Sequence, residues 1–492
     1  MSDSCEVKGL MKPKTFPFIF LLITAFLGLW LNLFYLQIVK GAENRELTKE
    51  NRIKIIKTPA LRGIIYDRNG KILVRNRPEG REYLYGDILA HILGYIGEIS
   101  AEELDESSYE MGDIVGKIGI EKQYDVLLRG KDGGIIVETD VSGKTVREIK
   151  KQEPQNGINL SLTLDLDLQK KAFAILKGRK GAIVINDPHT GAILALASFP
   201  SFNPNIFSQN PVFQRSAASE ESKRQTGFSE QKVTQVLNDP NQPMFNRAIS
   251  GLYPPGSIFK IVTSIAGLEE GKIDSSTLIE DTGEIKIKKY GKEYTYANWY
   301  YTQYGKKEGM VDIVKAIKRS NDIYFYKTGE FLGIEKLVNW AQYFGFGQLL
   351  GIDLPGEAKG LVPTPKWKKE QKTESWYLGD TYITAIGQGN LLLTPLQVNQ
   401  MASVIAAGGK FCQPHLLSDF FLINPQPWVK EDNFCHDLDI KLDNLELVKE
   451  GMKQACSPAK SENEQGGTGY PFFDFSPQVG CKTGTAEFGN PE

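Results

Sequence analysis

Histidine and cysteine are scarce in this 492-residue chain, with four of the first and five of the second. No two cysteines form a Cys-x-x-Cys pair, and no histidine stands at ligand spacing, so a zinc site is not expected. A charge surplus is missing as well. The 58 basic residues against 60 acidic ones leave a net −2, which gives no electrostatic footprint for nucleic acid. Only one apolar run is long enough to span a bilayer. Residues 16–39 are 24 positions without a charge, about 36 Å as helix. Thr24, Asn32 and Gln37 alone interrupt it, and bulky Asn32–Leu36 stands where a cleavable signal would have small residues. The run reads as an uncleaved anchor in a lipid bilayer. Lys8, Lys12 and Lys14 precede it, while Lys40, Arg45, Lys49, Arg52, Lys54 and Lys57 follow. That count does not fix the orientation, because long domains translocate largely regardless of charge.

Four of the cysteines, Cys412, Cys435, Cys456 and Cys481, fall late in the chain, and Cys5 lies in the tail. In an exported domain they allow three pairings. Cys412–Cys435 with Cys456–Cys481 is preferred, and four buried thiols are the alternative.

The length allows two or three domains with cores of their own. Residues 40–62 suggest a helix and then a basic strand at Arg52–Lys57. Residues 61–74 suggest a strand, a turn at Asn69-Gly70 and a returning strand. Short strands, charged turns and one helix around Ile118–Leu128 follow to residue 150, without catalytic clustering, as in a pedestal. From Gly157 the texture changes. A strand at Leu160–Leu164 leads to a helix over 165–176 behind an Asp165 cap. A hairpin follows at Gly181–Asn186 and Ala192–Ser198, joined by Asp187–Gly191. Residues 203–243, rich in Asn, Gln, Ser and Pro, read as a mobile loop. Helices are expected near 311–318, 321–332, 334–344 and 394–407, with a strand at Gln478–Glu487. The outline is α+β, an antiparallel sheet with a helical subdomain.

The stretch Tyr253-Pro254-Pro255-Gly256-Ser257-Ile258-Phe259-Lys260 reads as the centre of chemistry, because a stiff turn delivers a serine to the start of an apolar helix. Ser257 is expected as the N-cap, where outward N–H groups favour a developing negative charge. Lys260, three residues on, is placed to reach the hydroxyl and act as its base. Ser-x-x-Lys also occurs as Ser229/Lys232 and Ser457/Lys460, but only the middle copy opens an apolar helix behind a rigid turn.

Two other elements keep it company. In Ser320-Asn321-Asp322 a hydroxyl and a carboxylate two apart on a tight loop face one cleft; helix capping is the plainer role for such a triplet. In Lys482-Thr483-Gly484-Thr485 a strand would place Lys482 and Gly484 on one side and both threonines on the other. The glycine lets a substrate backbone lie alongside, and the lysine and threonines offer donors to a carboxylate. The rival Lys327-Thr328-Gly329 lies too close after Asp322 to reach across a cleft, and its glycine reads as a helix terminator.

Ser-x-x-Lys, Ser-x-Asn/Asp and Lys-Thr-Gly in this order resemble the penicillin-binding proteins and serine β-lactamases. Arg62-Gly63, Asp67-Arg68-Asn69-Gly70, His91–Gly97, Gly119–Tyr124, Leu128-Arg129-Gly130, Asn246-Arg247-Ala248, Gly387-Gln388-Gly389 and Thr394–Gln397 extend the resemblance to class B, monofunctional penicillin-binding proteins. It covers residues 16–492. Ser-x-Asp followed by Tyr-Phe-Tyr is similar to the elongation, or cell-shape, branch.

The resemblance implies a cytoplasmic tail (1–15), a single anchor in the inner membrane (16–39), a dimerisation-type pedestal (40–156) and a transpeptidase domain outside the cytoplasm (157–492). It implies a peptidoglycan D,D-transpeptidase whose Ser257 attacks the penultimate D-Ala of a stem peptide and passes the acyl group to a neighbouring amine. Lys260 is then the base. Ser320, backed by Asp322, relays a proton; Lys482, Thr483 and Thr485 hold the terminal carboxylate beside Gly484; and the N–H groups of Ser257 and Thr485 form the oxyanion hole. β-Lactams would trap Ser257, no metal or organic cofactor is required, and a membrane glycan polymerase of the shape-elongation-division-sporulation type is the implied partner.

Two departures from the family pattern stand out. The head subdomain between Asn76 and Tyr85 is nearly absent, and Thr485 lies seven residues from the last residue, so further strands and a closing helix are expected to be missing. A β-lactamase, a β-lactam sensor and a non-catalytic wall-assembly scaffold are the competing readings.

Overall fold

The computed structural model describes residues 16–42, 53–78, 80–104, 109–139, 144–207, 231–289, 291–418, 434–459, 461 and 464–486. The tail lysines, most of the helix expected after the anchor, residues 208–230 of the expected loop, Ser229, Lys460 and Glu487 lie outside these. The chain forms two compact units, one of residues 1–61 with 130–157, the other of 62–129 with 158–492.

The first unit holds helix α1 (Phe16–Phe34), continued by one π-turn at Tyr35–Val39. Pro17–Val39 is long and apolar enough to cross a membrane, with mean hydropathy 2.2 and none of the span buried in protein, as a single-pass anchor requires. The expected basic strand forms as Ile53–Thr58. It pairs antiparallel with Gly133–Thr139, which pairs with Thr145–Gln152.

The second unit opens with a four-stranded sheet in the order Gly80–Tyr83, Ile72–Arg77, Ile65–Tyr66, Leu160–Ser161, the last pair parallel. Its first turn is built on the buried Asp67 carboxylate, which accepts the N–H groups of Asn69 (2.9 Å) and Lys71 (2.8 Å) while Gly70 supplies a φ of 77°. The helix expected around Ile118–Leu128 is two, α2 (Gly119–Gln123) and α3 (Asp125–Arg129). Tyr124 leaves helical geometry at ψ 27°, and Asp125 turns inward to accept the Gly116 N–H at 2.7 Å.

Helix α4 (Leu166–Leu176) starts where expected, with Asp165 accepting from the N–H groups of Asp167 and Leu168. It lies against the hairpin Gly181–Asn186/Ile193–Phe199, which pairs antiparallel with a bulge at Ile185/Asn186. Buried Gln169 binds the Leu196 N–H and carbonyl (2.8 and 3.1 Å), tying helix to strand.

At the centre of the helical subdomain is α5 (Lys260–Glu269), with nine of its ten residues buried. A short helix α6 (Trp299–Tyr304), then α7 (Ile313–Arg319), α8 (Asp322–Leu332), α9 (Ile334–Tyr343), α10 (Pro365–Lys372), α11 (Leu378–Ala385), α12 (Pro395–Ala406) and α13 (Leu442–Ala455) follow. Ile261, Val262, Ile265 and Ala266 of α5 are completely buried beside Ile313 and Ile317 of α7, Tyr324 and Phe325 of α8 and Val448 of α13. Each large apolar side chain so buried contributes about 1.5–3 kcal/mol.

The sequence reading did not resolve α10, α11, α13 or the hairpin Glu284–Lys289/Lys292–Ala297. That hairpin alternates lysine with partly buried residues, and α10 reads Pro-Lys-Trp-Lys-Lys-Glu-Gln-Lys, so neither offers a strong apolar period. The strand expected at Gln478–Glu487 is not observed through Ala486. The described residues there make no ladder, and a strand is defined by its pairing. The structure joins Cys412 to Cys435, directly opposed on two short strands, and Cys456 to Cys481.

Candidate active site

Pro254 and Pro255 end the incoming chain, and Gly256 turns it at φ 57°. Residues Gly256–Phe259 form a 3₁₀ turn that feeds α5. Ser257 is therefore inside the first turn and not the N-cap: Pro255 occupies that place and no side chain caps the turn. The Gly256 N–H is taken by the Gly387 carbonyl at 2.8 Å, so the turn is anchored by backbone and the serine hydroxyl is not spent on capping. Ser257 is half-buried.

Lys260 is fully buried. Its Nζ donates to the Ser320 carbonyl (2.7 Å), Ser320 Oγ (3.3 Å) and Asp322 Oδ1 (2.6 Å). Burial pulls this amine below its ordinary value of 10.5, against the opposing pull of Asp322 and Glu308. Ser320 ends α7 in the left-handed region at φ 54°, a conformation that costs a non-glycine residue about 1–3 kcal/mol. Asn321 caps α8 by accepting the Tyr324 N–H at 2.9 Å. Capping and site geometry are thus served by neighbouring residues of one triplet.

Asp322 uses its second oxygen to accept the Trp299 N–H at 2.8 Å. Beneath it Asp281 Oδ2 accepts from Asn298 Nδ2 (2.8 Å), Asn321 Nδ2 (3.0 Å) and the Glu308 N–H (3.1 Å). Sequence reasoning missed Asp281, Asn298 and Trp299, which stand 23 to 41 residues before Asp322. No short motif links them to it.

Lys482 arrives from the far end of the chain. Its Nζ donates to Ser320 Oγ (2.8 Å) and to the Thr483 carbonyl (3.0 Å). Burial first, and the charge of Lys260 second, hold the Lys482 amine well below an ordinary lysine. Thr483 Oγ1 donates to Thr468 Oγ1 at 3.0 Å. The Thr485 carbonyl accepts from Gln388 Nε2 at 2.9 Å. The Thr485 backbone lies so close to Gly256 that a Cβ there would stand 2.2 Å from the Thr485 oxygen and 3.2 Å from its nitrogen. Gly484 likewise has no room for a side chain, with Ile258 Cδ1 at 2.7 Å from an added Cβ. Thr468 was also missed; its only sequence signal is the glycine cluster 466–469 around it. Gln388 stood in the quoted Gly387-Gln388-Gly389 motif without an assigned role.

Lys327-Thr328-Gly329 lies within α8, away from this cluster. Gly329 does not end the helix, as the sequence suggested. It lies within α8 and packs on Ala385 of α11, and α8 ends at Gly333, with φ 74°. Among the described residues, no group of three or more His, Cys, Asp or Glu side chains is placed to hold a metal ion.

A hydroxyl held between two amines, one of them paired to a carboxylate, forms a route for protons. The turn carrying Ser257 and the Thr485 backbone lie at its edge. The arrangement suits acyl transfer from a serine.

A family model for the penicillin-binding protein transpeptidase domain matches residues 181–492, and one for the penicillin-binding protein dimerisation domain matches residues 78–162. The chain is 38% identical over 340 residues to peptidoglycan D,D-transpeptidase MrdA of Acinetobacter baumannii, covering 68% of this chain and 47% of that protein. It is 30% identical over 561 residues to MrdA of Escherichia coli K12, covering 94% and 83%. The chain thus spans about half the length of the first relative and most of the second. A solved structure described as showing the coordination of polymerization and crosslinking by a peptidoglycan synthase complex matches with a TM-score of 0.71 at 27% identity, covering 97% of this chain and 89% of its own. With the family model covering most of the chain and the three motifs gathered at one site, this chain belongs to the penicillin-binding protein transpeptidases.

Proposed function

We propose that the chain is a serine-type peptidoglycan D,D-transpeptidase that cross-links stem peptides through a Ser257 acyl-enzyme. The observation that carries the reading is the hydrogen-bonded run Lys260–Ser320–Lys482 next to the Ser257 turn. Ser257 Oγ attacks the carbonyl of the penultimate D-Ala and its proton passes to Lys260. The backbone N–H groups of Ser257 and Thr485 receive the developing oxyanion. Collapse of the tetrahedral intermediate breaks the peptide bond, and Ser320, held by Asp322-bound Lys260, delivers a proton to the departing D-Ala amine. Lys482, Thr483 and Thr485 hold the terminal carboxylate, with Gly484 letting the segment pack closely on Ile258 of the nucleophile turn. An amine of a second stem then attacks the ester and frees Ser257.

In the same reading, residues 16–39 anchor the chain in the inner membrane with the catalytic domain outside the cytoplasm, residues 1–15 stay cytoplasmic, 40–156 serve as pedestal and 157–492 as the transpeptidase domain. The partner is a membrane glycan polymerase of the shape-elongation-division-sporulation type, supported by the likeness to a synthase complex that couples polymerization with crosslinking. Fluorescent penicillin tests the chemistry. Stable label that disappears in Ser257→Ala is expected; label that turns over rapidly indicates a lactamase, and absence of label defeats the reading.

A further inference from the structure

We infer that the Cys456–Cys481 disulfide is a positioning device for acyl transfer, setting Lys482 and Thr483 against Ser320 through helix α13. The inference rests on the transpeptidase reading above and adds to it residues outside the three motifs.

Cys481 is the residue before Lys482, and its sulfur is bonded to Cys456, at the C-terminal end of α13. The Cys481 N–H also donates to the Met452 carbonyl of α13 at 3.0 Å. These two attachments act on one residue from one helix. Among the described residues, 478–486 make no strand ladder, so the lysine segment takes its placement from such single points.

The same helix end holds a second part of the site. The Gly469 N–H donates to the Ala455 carbonyl at 2.8 Å, and the Gly467 N–H to the Ser457 carbonyl at 2.9 Å. An added Cβ on Gly469 would lie 2.4 Å from Cys481 Sγ and 3.1 Å from Cys456 Sγ, so this loop lies directly on the disulfide. Between the two glycines Thr468 turns its hydroxyl to Thr483 Oγ1. Both threonine and lysine of the motif are therefore referenced to the end of α13.

Helix α13 in turn fixes the opposite wall. Gly451 lies so close to α7 that an added Cβ would meet Ile317 Cβ at 2.7 Å. Three residues after Ile317, α7 ends at Ser320. The disulfide thus closes a ring: Lys482 to Ser320 by hydrogen bond, Ser320 to α7 by chain, α7 to α13 by backbone-close packing, and α13 to Cys481 by covalent bond. Opening the last link leaves the segment to hydrogen bonds, from the Cys481 N–H to Met452, Lys482 to Ser320 and Thr483 to Thr468, and a displacement of about 1 Å can cost a reacting group a hundredfold in rate.

The second disulfide provides the control. Cys412–Cys435 closes a short two-stranded pair elsewhere. The full chain is prepared as C5S/C412A/C435A, so that Cys456–Cys481 is the one bridge left, and as C456A/C481A, which keeps the other. Acylation by fluorescent penicillin is followed by stopped flow, resolving the binding constant from the acylation rate, with circular dichroism recorded alongside. Oxidised C5S/C412A/C435A should label, its reduction by dithiothreitol should slow acylation at least about tenfold with binding changed less, and reoxidation should restore the rate. Reduction of C456A/C481A should leave its already slow acylation where it was.

Acylation within twofold before and after reduction overturns the inference, as does an equal loss on reducing the other bridge. So does collapse of the circular dichroism on reduction, since the bridge would then hold the fold and not the site. Absence of label in the oxidised protein instead defeats the transpeptidase reading itself, which separates the two failures.

Discussion

Gly256 and Thr485 meet backbone to backbone, 229 positions apart in the sequence, with no space between them for even a methyl group. The contact sets the Lys-Thr-Gly segment beside the nucleophile turn. It also relies on a φ of 57° that only glycine adopts without cost.

Gly256→Ala is therefore expected to act on the site far more than on the fold. The methyl must displace Thr485, and the strained φ adds about 1 kcal/mol. Acylation by fluorescent penicillin should fall at least about a hundredfold while the melting temperature moves by a few degrees. A variant acylating at the wild-type rate would show that Thr485 has no part in the reaction.

The pH dependence of acylation reports on Lys260. A base must be neutral, so the rate rises as Lys260 loses its proton. Because burial lowers this amine below 10.5, against Asp322 and Glu308, the midpoint of the rise should lie below that pH. Asp322→Asn removes a group that raises the lysine, so the rising limb should move to lower pH. The plateau should also fall, because Asp322 holds Trp299 as well as Lys260. A limb that stays in place in this variant would assign it to another group.

Asp281 should matter to both stability and rate although it touches no reacting atom. It is 2% exposed and holds Asn298, Asn321 and two backbone N–H groups. Asp281→Ala leaves these donors without their acceptor, at about 1–3 kcal/mol for each buried group left unsatisfied. Thermal denaturation should show a loss of about 3 kcal/mol or more. Acylation should slow, since Asn321 anchors the loop that presents Ser320.

Glu121 gives a prediction remote from catalysis. It is completely buried, with Arg81 Nε at 2.7 Å and Arg62 Nε at 2.6 Å. Burial pushes its carboxyl up, but Arg81 and Arg62 together push it further down, below its ordinary 4.5. Its contribution is present above pH 4.5 and is lost as pH falls through the lower folded value. Glu121→Ala strands the Arg81 guanidinium and leaves Arg62 with the carboxylate of Asp125 alone, which should cost about 3–5 kcal/mol at neutral pH, and its remaining stability should decline less steeply toward acid. Equal acid sensitivity in both proteins would refute the assignment.

Much of the fold was legible because local rules and tertiary needs agree in it. Asp165 precedes an apolar period and caps α4; Asn69-Gly70 makes the turn that only a left-handed residue permits; the helices from α7 to α9 and α12 carry full amphipathic periods. Legibility fails where a polar sequence folds by contact, as in α10 and the lysine-rich hairpin. It also fails where pairing defines the element, as at 478–486.

The residues alone determined the chemistry on offer: a serine behind a rigid turn, two lysines, a Ser-x-Asp triplet, a glycine between threonines, and an apolar run fit for a bilayer. Spacing along a chain is local information, so it could neither bring residue 482 to residue 320 nor find Asp281, Thr468 and Gln388 around them. Those meetings were decided by packing, as α5 buries its whole circumference and thereby draws α7, α8 and α13 about one site.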